Sequence, residues 1–98
     1  MDFFVYILYS ASVDQFYKGQ TKDLNQRLKR HNDGLEDSTK KGAPWKLVWH
    51  TKKTNRSEAI RLEAKLKNLS KVRLIKFMLE YNDGIASHDE FLFLQKLS

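Results

Sequence analysis

The chain has 98 residues, no cysteine and a formal charge of +6. Without cysteine there is no disulfide framework and no thiolate metal site, and no apolar run approaches the ~20 residues that span a bilayer. A hydrophobic content of 41% suits one globular domain with a modest core.

Phe3–Tyr9 is rich in aromatic and β-branched residues and reads as a buried strand. Met1–Ser10 carries an acidic residue where a secretory leader carries basic ones, and it offers no small-residue cleavage site. The expectation is a mature cytoplasmic protein without a membrane partner. Ser10–Asp14 is polar and can turn, and Gln15–Thr21 reads as a second strand of a hairpin with a loop of about four residues. Thr21 or Asp23 can cap a helix that ends near Gly34. Leu35–Pro44 reads as an exposed loop. Trp45–Thr51 alternates as a third strand, with Leu47 and Trp49 expected on one face. Asn55 or Ser57 caps a second helix running to about Leu69, Asn55 with Glu58 forming a loose capping box. Ser70 caps a short helix over Lys71–Tyr81, and Ser87 with Glu90 opens a last one through Phe91, Leu94 and Leu97. The order β-β-α-β-α-α-α predicts an α+β fold, a small three-stranded antiparallel sheet flanked by helices. Residues 1–98 read as a single domain, with its core over about 3–70 and C-terminal helices over 71–98.

Two charges break the helical patterns. In Asp23–Gly34 the slots beside Leu24 and Leu28 on the apolar stripe hold Arg27 and His31. In Ser57–Ser70 the stripe is Ala59, Leu62, Leu66 and Leu69, and its remaining slot holds Glu63. Charges that face or flank a core need partners or a task. Lys67, one turn after Glu63, offers a simple ion pair as one answer.

The hairpin gives these charges company. A turn at Ser10–Asp14 sets Tyr6 near Tyr17 on the adjacent strand, with both phenols on one face. Cross-strand packing alone explains such a pair. A helix laid on that face, however, brings Arg27 and His31 toward the phenols, and the next helix adds Glu63. Glycine-rich phosphate loops, nucleophilic triads and acidic clusters for two metals are all missing from the sequence. What it offers is a phosphate clamp in Arg27, hydroxyls that pass protons in Tyr6 and Tyr17, and one ligand for a hard divalent cation in Glu63. Those are the parts for cutting a phosphodiester with a single metal ion. Thr39–Glu80 also holds twelve Lys or Arg against three Glu. Such a concentration favours a polyanion, nucleic acid first and a membrane surface second, although a solvated basic face explains it as well.

The ordered set Val5-Tyr6-Ile7-Leu8, Tyr17-Lys18-Gly19-Gln20-Thr21, Arg27-Leu28, His31-Asn32, Pro44-Trp45-Lys46-Leu47-Val48 and Glu63 with Lys67 resembles the GIY-YIG nuclease superfamily. More narrowly, it resembles that superfamily's small stand-alone endonuclease branch, and the likeness covers about Phe3 to Ser70. The resemblance implies a metal-dependent endonuclease acting on nucleic acid, DNA ahead of RNA. It implies Tyr6 as general base or proton relay, Tyr17 orienting the scissile phosphate, and Arg27 stabilising transition-state charge. Glu63 would be the sole protein ligand of one Mg²⁺ or Mn²⁺, and His31 an aid to the proton network. A phenol needs its pKa lowered to serve as a base at neutral pH, and Arg27 with the metal is expected to lower that of Tyr6.

Phe4 stands where the motif's first glycine is usual. With Tyr6 opposite Tyr17, Phe4 falls opposite Gly19 and is expected to cover it. Lys18 should point to the other face, and Gln20 replaces a basic residue found in some relatives. Lys40, Lys41 and Lys67 are candidate phosphate contacts. Trp45 and Trp49 suit core packing or base stacking. His50 and His88 have no partners at metal-ligand spacing, and Phe91–Leu94 suits a helix docked on the core. Two other classes stay open: a non-catalytic nucleic-acid-binding module, and an interaction domain in which Arg27 and Glu63 are structural ion pairs. A domain this small has low intrinsic specificity or takes it from a protein partner.

Overall fold

A computed structural model describes residues 1–98. Three strands, β1 (Phe3–Ser10), β2 (Gln15–Thr21) and β3 (Lys46–Lys53), form an antiparallel sheet in the order β2-β1-β3. Four helices join them: α1 (Leu24–Asn32) between β2 and β3, then α2 (Arg56–Lys67), α3 (Lys71–Glu80) and α4 (His88–Leu97). The fold is α+β in the expected order, with two 3₁₀ turns added at Lys40–Gly42 and Asn82–Gly84. No helix is long and apolar enough to cross a membrane.

The caps follow local chemistry. Asp23, Asn55, Ser70 and Ser87 each accept the backbone N–H three residues on, satisfying a donor that the helix leaves open. At α4 the Ser87 hydroxyl also donates to the Glu90 carboxylate, a side-chain bond that ties the cap to the first turn. Gly34 follows the C-cap Asp33 of α1 with φ +74, the left-handed geometry glycine supplies at a helix end.

Val5, Tyr6, Ile7 and Leu8 of the central strand are all buried because both sheet faces are covered. On one face Val5 and Ile7 meet Ala59, Leu66, Leu74, Ile75, Met78 and Leu94 from α2, α3 and α4. On the other, Tyr6, Leu8 and Trp45 meet Tyr17, Leu47 and the stripe residues Leu24 and Leu28 of α1. Asn32 locks α1 to the start of β3, donating to the Trp45 carbonyl at 3.0 Å and accepting the Trp45 N–H.

Two register expectations need correction. Tyr6 pairs with Gly19, Leu8 with Tyr17 and Phe4 with Thr21, two residues from the expected alignment. The loop closes one pair later, at Ser10–Gln15, with Asp14 in a left-handed conformation (φ 51). A shift of two preserves the side-chain alternation, so Tyr6 and Tyr17 still share a face. The ring over Gly19 is therefore that of Tyr6, not Phe4. On the other edge the pairing slips between Ile7 and Leu8, with Ile7 opposite Trp49 and Leu8 opposite Leu47. The bulge leaves Val48 as the extra residue and reverses the alternation, so Leu47 and Trp49 pack on opposite faces. Both indoles are in the core: Trp45 Nε1 donates to the Thr39 carbonyl at 2.7 Å and Trp49 Nε1 to that of Tyr81 at 2.9 Å.

Candidate active site

Tyr6 lies flat across the sheet because Gly19 has no side chain. A Cβ there would come within 2.6 Å of the Tyr6 phenol oxygen and 3.0 Å of the Tyr17 ring. The Tyr6 and Tyr17 rings sit 6.2 Å apart between centroids, and the His31 ring meets them edge-on at 5.9 and 4.9 Å. His31 reaches them from α1 because it occupies the inward slot of the stripe, where it is 1% exposed. Two phenols and an imidazole thus converge beneath α1.

A buried polar chain runs through this cluster. Tyr6 Oη lies 2.9 Å from His31 Nε2, and His31 Nδ1 lies 2.7 Å from Thr39 Oγ1. The Thr39 hydroxyl has the Glu36 carbonyl as its own acceptor at 3.4 Å. A hydroxyl that donates to a carbonyl presents lone pairs to its other neighbour, so His31 donates from Nδ1 and keeps Nε2 free to accept the Tyr6 proton. Burial holds the His31 pKa below its ordinary value, with Arg27 and Arg30 acting in the same sense and Glu36 opposing them. The ring is neutral at pH 7 and is an acceptor at Nε2. The Tyr6 phenol is pushed well above its usual pKa, chiefly by burial and then by Tyr17. Arg27 acts in the lowering sense, as its expected role requires, but burial outweighs it. Tyr6 therefore carries its proton at neutral pH, with His31 Nε2 as its hydrogen-bond partner.

Arg27 and Glu63 approach from two helices. Arg27, half-buried on α1, forms no salt bridge, and its positive charge reaches Tyr6. It is not the structural ion pair that one alternative required. Glu63 comes from α2, which packs on β1 and β2, and it is the one carboxylate whose charge reaches Tyr6. Lys67 Nζ holds its Oε2 at 3.2 Å, and the Glu63 side chain is 18% exposed. Its other oxygen forms no salt bridge and is not a buried, unsatisfied atom. No group of three or more His, Cys, Asp or Glu side chains is placed to enclose a metal. One carboxylate oxygen outside the salt bridge fits a hard, water-retaining divalent ion, not a fully protein-ligated one.

The three lysines expected to contact phosphate lie in different surroundings. Lys40 pairs with Asp37 at 3.6 Å, Lys67 is committed to Glu63, and Lys41 is exposed on the 3₁₀ turn beyond Thr39. Lys18 points to the face opposite Tyr17, as alternation required, and burial together with Lys67 lowers its pKa. His50 pairs with Tyr6 on β3, and His88 stacks on Phe91. Thr39 was missed from sequence. It lies in a segment without periodicity that read as an exposed loop, yet it is 2% exposed.

The structure is a small α+β domain in which Tyr6, Tyr17 and His31 meet on the α1 face of a three-stranded sheet, with Arg27 on the same helix and Glu63 on α2. The GIY-YIG catalytic domain family model matches residues 2–76. A UPF0213 protein of Staphylococcus epidermidis is 33% identical over 78 residues, covering 79% of this chain and 94% of that protein. A UPF0213 protein of Staphylococcus aureus is 38% identical over 77 residues, covering 74% and 93%. The solution NMR structure of a UPF0213 protein from Bacillus halodurans superposes with a TM-score of 0.54 at 30% identity, over 92% of this chain and 93% of that one. The chain belongs to the GIY-YIG nuclease family.

Proposed function

We propose that this protein is an endonuclease that hydrolyses phosphodiester bonds in nucleic acid, DNA ahead of RNA, with one Mg²⁺ or Mn²⁺ on Glu63. The observation that carries the reading is the buried chain from Tyr6 through His31 to Thr39, with Arg27 beside it and no ion pair to occupy the guanidinium. A water placed between Tyr6 and a bound phosphate gives its proton to Tyr6 Oη as the Tyr6 proton passes to His31 Nε2. The resulting hydroxide attacks phosphorus, the bond to the leaving oxygen breaks, and that oxygen takes a proton from solvent. Arg27 offers its fork of donors to the non-bridging oxygens, where negative charge grows. Tyr17 orients the same phosphate from β2. A divalent ion held by Glu63 would supply charge to the phosphate and the departing oxygen.

A second reading, a non-catalytic nucleic-acid-binding module of the same fold, draws support from Lys67, which already neutralises Glu63. One experiment separates the two. Purified protein and its Glu63→Ala variant are incubated with plasmid, single-stranded and branched DNA in Mg²⁺ or Mn²⁺. Cutting that disappears with Glu63→Ala supports the nuclease. Salt-sensitive binding without cutting supports the module.

A further inference from the structure

At the open end of the β1–β2 hairpin lies a second concavity of about 400 Å³ that shares Arg27 with the candidate site. Its other cations are Lys22, just after β2, and Arg56, the first residue of α2. Neither forms a salt bridge, and neither does Arg27. Asp23 is the one acidic residue in the lining, and its carboxylate accepts the Gln26 N–H as the cap of α1. Three unpaired cations around one engaged carboxylate make a local excess of positive charge that an anion relieves. The only apolar residue of the lining is Phe3, and Lys22 Nζ lies 5.8 Å from its ring centroid, over its face. The cleft therefore has no free aromatic platform on which a base could stack. The remaining lining, Gln20 included, is polar. This is the chemistry of a site that takes the sugar–phosphate backbone and leaves the bases unread.

We infer that Lys22 and Arg56 hold a backbone phosphate next to the scissile one, with Arg27 standing between the two. The strand then runs from the tyrosine cluster toward the open end of the β1–β2 hairpin, and this cleft, not the Lys40–Lys41 turn, provides the sequence-independent grip. The inference rests on the nucleic-acid reading of the neighbouring site and extends it to a particular surface.

The test measures fluorescence anisotropy of labelled single-stranded and duplex DNA of mixed and homopolymer sequence, in EDTA so that nothing is cut, over a salt series. Lys22→Gln and Arg56→Gln change exposed side chains, and circular dichroism checks that both fold. Lys65→Gln is the control, since Lys65 lies over Phe77, outside the lining of this cleft. Each cleft variant should lower the slope of log K against log salt by about one, and the double variant by about two, to the same degree for every sequence. Lys65→Gln should keep the wild-type slope. Wild-type slopes in both cleft variants, with wild-type binding intact, would overturn the subsite and leave the nucleic-acid reading standing. Sequence-dependent losses would overturn the backbone assignment. Failure of the wild-type protein to bind any strand would overturn both readings.

Discussion

The Tyr6 phenol crosses Gly19 so closely that a single methyl group on that glycine would stand 2.6 Å from the hydroxyl oxygen. Tyr6 cannot simply move aside, because its hydroxyl is held by His31 at 2.9 Å and its ring is buried. Gly19→Ala is therefore expected to destabilise the domain by about 1–3 kcal/mol, as overpacking does. At about 4–8 °C per kcal/mol for a domain of this size, thermal denaturation should show the loss clearly. An unchanged midpoint would mean that Tyr6 does not lie where it is described.

His31 makes stability depend on pH with a definite sign. Burial depresses its folded-state pKa below the ordinary 6.5, so the unfolded chain binds the proton more readily. The stabilisation is complete above pH 6.5 and is lost as pH falls from there through the depressed folded value. Urea midpoints at pH 7.5 and 5.5 should therefore differ more for the wild type than for His31→Gln. Cleavage should lose its proton acceptor over the same acid range.

Thr39 sets which imidazole nitrogen carries the proton, so Thr39→Val leaves the shape and removes the acceptor. The His31 Nδ1–H is then buried without a partner, at about 1–3 kcal/mol of stability. The tautomer with a proton on Nε2, which cannot accept from Tyr6, also becomes accessible. We expect kcat to fall by about 10- to 100-fold, the range seen when a partner that orients a histidine is lost. KM should stay near wild type, and Thr39→Ser should restore the rate. Long-range ¹H–¹⁵N NMR reads the tautomer directly. Nε2 protonation in the wild type would contradict the assignment.

Much of this arrangement was legible in the sequence. The misfit slots on the stripes of α1 and α2 pointed to Arg27, His31 and Glu63 because helical period alone fixes which residues share a face. Caps at Asp23, Asn55, Ser70 and Ser87 marked helix starts because their chemistry is local. What depended on distant packing was not legible. The hairpin register moved by two because the loop closes at Ser10–Gln15, and the bulge at Val48 turned Trp49 away from Leu47. Thr39 is buried by the indole of Trp45, which donates to its carbonyl, and by His31. No pattern within residues 35–44 announces either contact.

Lys67 competes with any cation for Glu63. The pair at 3.2 Å is partly exposed and worth little to folding, so Lys67→Ala should fold normally. It should also bind Mn²⁺ more tightly than the wild type by electron paramagnetic resonance titration, and Lys67→Ala/Glu63→Gln should abolish that gain. Equal Mn²⁺ affinity in all three proteins would remove Glu63 as a metal ligand.

The central claim is that the Tyr6 hydroxyl passes a proton from the attacking water to His31. Its most direct test is single-turnover cleavage of labelled DNA in Mn²⁺ by wild-type protein and by Tyr6→Phe, which keeps the ring and deletes only the oxygen. The account predicts a rate loss of about 10²- to 10⁴-fold in Tyr6→Phe, the range for a lost acid–base group, with DNA affinity unchanged. Tyr6→Phe cutting at the wild-type rate would contradict it.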